Sequence, residues 1–99
     1  MTNATPSSTR DNPAKNRYEL EVGGSVAFID YHRAGRVVTF THAEVPQSLR
    51  GGGIGAELVR GALELARAQG DRIVPRCSFV VAYLRRHPEF DDLRADHRP

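Results

Sequence analysis

The sequence predicts an α/β fold: an antiparallel three-stranded meander, then a crossover helix, a short parallel strand and a C-terminal helix. Three observations carry that prediction. Apolar and polar residues alternate from Tyr18 onward, which is the period of half-buried strands. An uninterrupted helical pattern fills residues 54–69. Between strand and helix, residues 50–55 read Arg-Gly-Gly-Gly-Ile-Gly, a glycine run at a helix entrance.

Residues 1–16 are rich in Thr, Ser, Asn and Pro and have no apolar period, so they are expected to form a disordered leader. Tyr18, Leu20 and Val22 alternate with charged residues and mark the first strand, which Gly23 and Gly24 end in a turn. A second strand is expected over 26–32, a turn over 33–35 and a third strand over 36–45, with Val38, Phe40 and His42 on one face. Pro46 ends that strand, and residues 47–53 form a loop. In the helix, Ile54, Leu58, Ala62 and Leu65 share one stripe with Val59 and Ala66 beside it, and Gly70 stops it. A fourth strand over 72–76 then follows a strand, loop and helix. A right-handed crossover places it parallel to the third, with pairing expected to fail near Pro75. A helix over 79–86 is ended by His87 and Pro88, and residues 94–99 read as a flexible tail, which leaves 17–93 as the folded domain.

A chain of 99 residues has room for one domain and one modest core. Its 39% hydrophobic and 26% charged content is ordinary for a globular protein. No apolar run approaches a membrane span and the N-terminus lacks a signal-peptide stretch, so the expected location is the cytoplasm, without membrane partners. The single cysteine, Cys77, cannot form an internal disulfide, in keeping with a reducing compartment. The net charge of +2 is too mild to indicate nucleic-acid binding. No metal site is expected, and the chain is expected to be a monomer or weak homodimer.

Three kinds of phosphate loop compete for the glycines. A nucleotide-triphosphate loop needs Lys and then Ser or Thr at the helix start, where this chain has Ala56 and Glu57. A dinucleotide fingerprint is matched in form by Gly51, Gly53 and Ala56, with Asp71 about 20 residues downstream. Only one βαβ unit exists, however, and the glycines do not follow the strand end at once. The third is the central motif of the GNAT acetyltransferase superfamily, Gln/Arg-x-x-Gly-x-Gly/Ala between a strand and a helix, and Arg50, Gly53 and Gly55 match each fixed position. The element order also resembles the GNAT core, so the predicted sheet is a GNAT-like mixed sheet and the resemblance covers roughly residues 18–90. More narrowly, Val74-Pro75-x-Cys77-x-Phe79-Val80, Tyr83 and His87-Pro88-Glu89-Phe90 resemble the minimal GNAT-like family typified by the YjdJ proteins. Ser78 stands where that family often has Pro, and both residues suit a helix start.

The resemblance implies acetyl-CoA as cofactor. The pyrophosphate would be held by main-chain amides of Leu49, Arg50, Gly51, Gly52, Gly53, Ile54, Gly55 and Ala56. The pantetheine would run between the third and fourth strands, with Val45, Cys77 and Phe79 as further contacts. Arg85 and Arg86 are either solvated or reach the 3′-phosphate. Cys77 is a candidate nucleophile beside the thioester, or a small buried hydrophobe, and the flanking Arg76 and the helix N-terminus would favour its thiolate. His42 and Glu44 are candidate bases for an attacking amine, with a core role for His42 as the alternative. Tyr83 is a candidate acid for the departing thiolate, although the Tyr-to-Gly-Phe spacing of many GNAT enzymes is replaced here by a longer run to Phe90. The helices that usually shape a GNAT acceptor pocket are missing, so the acceptor site should be open and suited to an extended or macromolecular amine. Two functions follow: acetyl transfer to an amine, directly or through Cys77, or a CoA-binding module without robust catalysis.

Overall fold

Two glycines fix the register on which the sheet is built. Gly23 and Gly24 have φ of 58° and 84°, the left-handed conformations required at both centres of a tight two-residue hairpin, and they pair Val22 with Ser25. In the computed structural model, which describes residues 8–95, that hairpin joins strands β2 (Arg17–Val22) and β3 (Ser25–Ala34). A second turn leads to β4 (Val37–Glu44), and a short 3-10 helix, Gln47–Leu49, leads into helix α1 (Ile54–Gln69). Strand β5 (Arg72–Pro75) and helix α2 (Ser78–Arg86) follow.

Among the described residues the sheet has one more strand than predicted. β1 (Arg10–Asn12) pairs antiparallel with β2, so the five strands lie in the order β1-β2-β3-β4-β5. This corrects the expectation of a leader running to residue 16. β1 escapes an apolar-period reading because polar side chains hold it. Arg10 and Asn12 both donate to the buried Glu19 carboxylate, Asp11 accepts from Tyr31 Oη at 2.7 Å, and the Thr9 hydroxyl reaches the Glu57 and Leu58 carbonyls of α1. The earlier part of that leader, residues 1–7, lies outside the described residues.

β4 pairs antiparallel with β3 and parallel with β5, from Val37 opposite Arg72 to Phe40 opposite Pro75, and the Arg76 N–H closes the ladder on the Phe40 carbonyl at 3.0 Å. Beyond Phe40 β4 runs on to Glu44 without a strand partner on this side among the described residues, because β5 ends at Pro75. At the same point β4 carries a bulge: Asp30 faces His42 and Tyr31 faces Phe40, so Thr41 is an extra residue without a partner. The bulge resets the alternation. Val38 and Phe40 are fully buried, whereas His42 is exposed on the opposite face, which corrects the expectation that all three share one face.

The core lies between one face of the sheet and the two helices. Tyr18, Ile29, Val38, Phe40 and Ile73 meet Leu58, Ala62 and Leu63 of α1 and Val80 and Leu84 of α2. Leu65, placed in the helical stripe by its period, is only partly buried, and Leu63 takes a core position instead. The C-terminal segment is also anchored. A 3-10 helix, Pro88–Leu93, buries Phe90 and Leu93, and the Ala95 N–H bonds the Ile73 carbonyl at 2.7 Å. Residues 94 and 95 of the expected flexible tail are thus held by the fold, and residues 96–99 lie outside the described residues.

Candidate active site

The loop between β4 and α1 is shaped by its own side chain and by backbone conformations that favour glycine. Arg50 Nε donates to the Val45 carbonyl at 2.9 Å, which folds the loop back onto the end of β4. Gly51 and Gly53 have φ of 88° and 77°, where a Cβ would be strained. Gly53 is also the residue that caps α1, and it offers no side chain to the helix amides. The first-turn N–H groups have no intrahelical acceptor, and together with the positive end of the helix dipole they form an anion-seeking concavity.

That concavity is part of a cavity of about 320 Å³. Ala43 and Val45 line it from the end of β4, Leu49, Arg50, Gly51 and Gly53 from the loop, Ile54 and Gly55 from α1, and Phe79 from α2. A second cavity of about 310 Å³ adjoins it between the helices, lined by Ala56, Ala82, Tyr83, Arg86, His87 and again Phe79. Gly55 has a packing reason to be glycine: a Cβ there would collide with the Phe79 ring.

The predicted cofactor contacts thus divide into three groups. Val45, Leu49, Arg50, Gly51, Gly53, Ile54, Gly55 and Phe79 converge on the first cavity. Ala56 and Arg86 line the second. Gly52 and Arg85, both exposed, and the buried Cys77 line neither.

The predicted catalytic residues do not converge. Cys77 sits at the junction of β5 and α2, caps the helix with its backbone and is buried in the hydrophobic cluster, lining neither cavity. Arg76 beside it is exposed. His42 Nε2 and Glu44 lie 2.9 Å apart, both largely exposed. They flank Ala43 on β4, so they project to the opposite side of the strand from the residue that lines the first cavity. Tyr83 lines the second cavity, stacked on the His87 ring at 4.0 Å, and burial pushes its phenol upward. It stands across Phe79 from the glycine loop.

Sequence reading missed three lining residues. Ala43 reaches the cavity only because the bulge inverts the alternation of β4, and a bulge depends on the partner strand. Ala82 and His87 were legible, since Phe79, Ala82, Tyr83 and Arg86 recur at the spacing of one face of α2.

Residues 17–93 match the family described as GCN5-related N-acetyl-transferase. Among solved structures, the chain is similar to the NMR solution structure of a "GCN5-like putative N-acetyltransferase" from Staphylococcus aureus. The TM-score is 0.67 at 20% sequence identity, over 96% of this chain and 94% of that one, which establishes a shared fold.

Proposed function

The chain belongs to the GCN5-related N-acetyltransferases, a family of acetyl-transferring proteins, and we propose that it moves an acetyl group from acetyl-CoA to an amine acceptor. The observation that carries this is the loop around Gly51 and Gly53. Gly53 caps α1 without a side chain, both glycines hold left-handed backbone, and the loop opens onto a cavity lined by Ala43 and Val45, beyond the last residue of β4 that pairs with β5. A helix start of that form suits a pyrophosphate. The free edge of β4 beyond Phe40 suits the amides of a pantetheine arm, and Arg86 in the adjoining cavity suits a phosphate at the nucleotide end.

When bound, acetyl-CoA supplies an activated acyl group and a thiolate leaving group. The chain's residues hold the nucleotide end, direct the arm along Ala43 and Val45 and exclude water with Leu49, Ile54 and Phe79. The exposed His42–Glu44 pair remains the candidate proton acceptor, although it stands on the side of β4 opposite Ala43 and the cavity. Burial of Cys77 in the apolar cluster favours direct attack by the amine over an acyl-cysteine route.

One observation favours the second reading, a CoA-binding module with weak chemistry: the best base candidates stand across β4 from the cavity. A thermal-shift panel with acetyl-CoA, CoA, ATP and NAD tests the cofactor, because a ligand that binds only the native state raises the melting temperature. Stabilisation by CoA and acetyl-CoA alone is expected, and stabilisation by ATP or NAD but not CoA would overturn the reading. Intact-mass analysis after incubation with acetyl-CoA and a panel of amines separates the two functions. Acetylated amine marks the transferase, tight binding without product marks the module, and an adduct lost in Cys77→Ser would restore the covalent route.

A further inference from the structure

Among the described residues, Phe79 alone is common to the linings of both cavities. Its ring lies over the Cα of Gly55, at the point where consecutive residues of α1 divide: Gly55 lines the first cavity and Ala56 the second. Each cavity alone is at the lower end of the range for a drug-sized ligand. A longer molecule, with its phosphates at the glycine loop and its nucleotide against Arg86, must occupy both. The ring stands between them.

The ring is weakly held where it stands. Phe79 is 42% exposed, one of two large exposed apolar side chains among the described residues. It is the second residue of α2, so no preceding helical turn blocks the χ1 rotamer that is forbidden in helix interiors. Gly55 opposite has no Cβ to trap the ring against.

We propose that Phe79 is a gate: its ring closes the junction over Gly55 in the free protein and swings aside to join the two cavities into one groove when an extended nucleotide-bearing cofactor binds. The proposal rests on the acetyl-CoA reading above and adds the step that controls access. A gate that is mostly closed lowers the apparent association rate by the fraction of time it is open, whereas a simple contact residue acts on dissociation.

Stopped-flow association of CoA, followed by tyrosine fluorescence, tests this on wild type, Phe79→Ala, Phe79→Leu and Phe79→Trp. Tyr83 in the second cavity is the expected reporter. Because an exposed side chain changes rotamer far faster than CoA arrives, the wild-type rate should rise linearly with CoA concentration, with a slope reduced by the fraction of time the ring is open. Phe79→Ala should associate faster, with a slope steeper on the order of tenfold. Phe79→Leu should fall between the two, and Phe79→Trp should be slower than wild type. Equal association rates in all four proteins, or a Phe79→Ala effect confined to faster dissociation, would overturn the gate. Failure of every folded variant, wild type included, to bind CoA would instead overturn the cofactor reading on which the gate rests. Melting temperatures measured beside the kinetics confirm that each protein is folded.

Discussion

The glycines of the loop have separate physical reasons to be glycine, and substitution tells them apart. Gly51 and Gly53 hold left-handed backbone, so alanine at either should cost about 1–2 kcal/mol whatever surrounds it. Gly55 has no such backbone demand, and its constraint is the Phe79 ring. A methyl there should cost about 1 kcal/mol, at the low end of overpacking because the ring can move. That cost should vanish in a Phe79→Ala background, a coupling that thermal melts of the double-mutant cycle measure directly. If Gly55→Ala is equally destabilising with and without the ring, the packing explanation fails. If it is silent in stability but abolishes the CoA-induced melting shift in both backgrounds, the glycine serves the anion instead. Tyr18 makes a different case. Its side chain is fully buried, and its hydroxyl has no hydrogen-bond partner among the described residues. Tyr18→Phe should therefore be neutral or stabilising by up to about 1 kcal/mol in a denaturant melt, since only an unmade hydrogen bond is removed.

Among the elements, β4 links fold to site most directly. The bulge at Thr41 places two successive residues on the open side of the sheet, turns Ala43 toward the cavity and coincides with the end of pairing to β5. Deleting Thr41 should leave Val38, Phe40 and Ala43 facing inward, because the remaining residues then alternate without interruption. Stability should stay within about 1 kcal/mol of wild type, while the straightened strand should lose CoA affinity by a factor of ten or more, about 1.4 kcal/mol. Calorimetric titration beside a melt checks both halves, and unchanged affinity would dissociate the bulge from the site. Much of this architecture was legible in the residues. α1 spans the stretch its period marks, β5 follows it in parallel, and the glycine loop stands between. The bulge was not legible, because it is a relation between two strands, and its absence from the reading put His42 on the wrong face. β1 was hidden because three polar residues carry no apolar period, and the closing turn around Phe90 and Leu93 because two apolar residues in a charged stretch are too few to show one.

At the scale of the whole molecule, one layer of helices covers one face of the sheet, so the far end of the sheet depends on polar contacts made by β1, and these titrate. Glu19 is buried and accepts from Arg17, Asn12 and Arg10. The hydrogen bond from Arg17 chiefly holds its carboxyl below the ordinary 4.5, against burial, which acts the other way. A depressed carboxylate contributes stability that is present above pH 4.5 and is lost as pH falls through the folded-state value. On the alkaline side, burial first and then the hydrogen bond to Asp11 push Tyr31 from 10.0 up to about 12. A raised phenol contributes stability that is complete below pH 10 and drains away between there and about pH 12, because the unfolded chain ionises first. That shift corresponds to about 2–3 kcal/mol at full ionisation. Tyr18, raised mainly by its own burial, adds in the same direction. Urea melts across the pH range should therefore show a plateau falling at both ends. Glu19→Gln should lower the plateau and flatten the acid limb, while Tyr31→Phe should remove the Tyr31 share of the alkaline limb and leave the part that Tyr18 supplies. An alkaline limb as steep in Tyr31→Phe as in wild type would show that the β1 contact contributes nothing to holding this edge of the sheet.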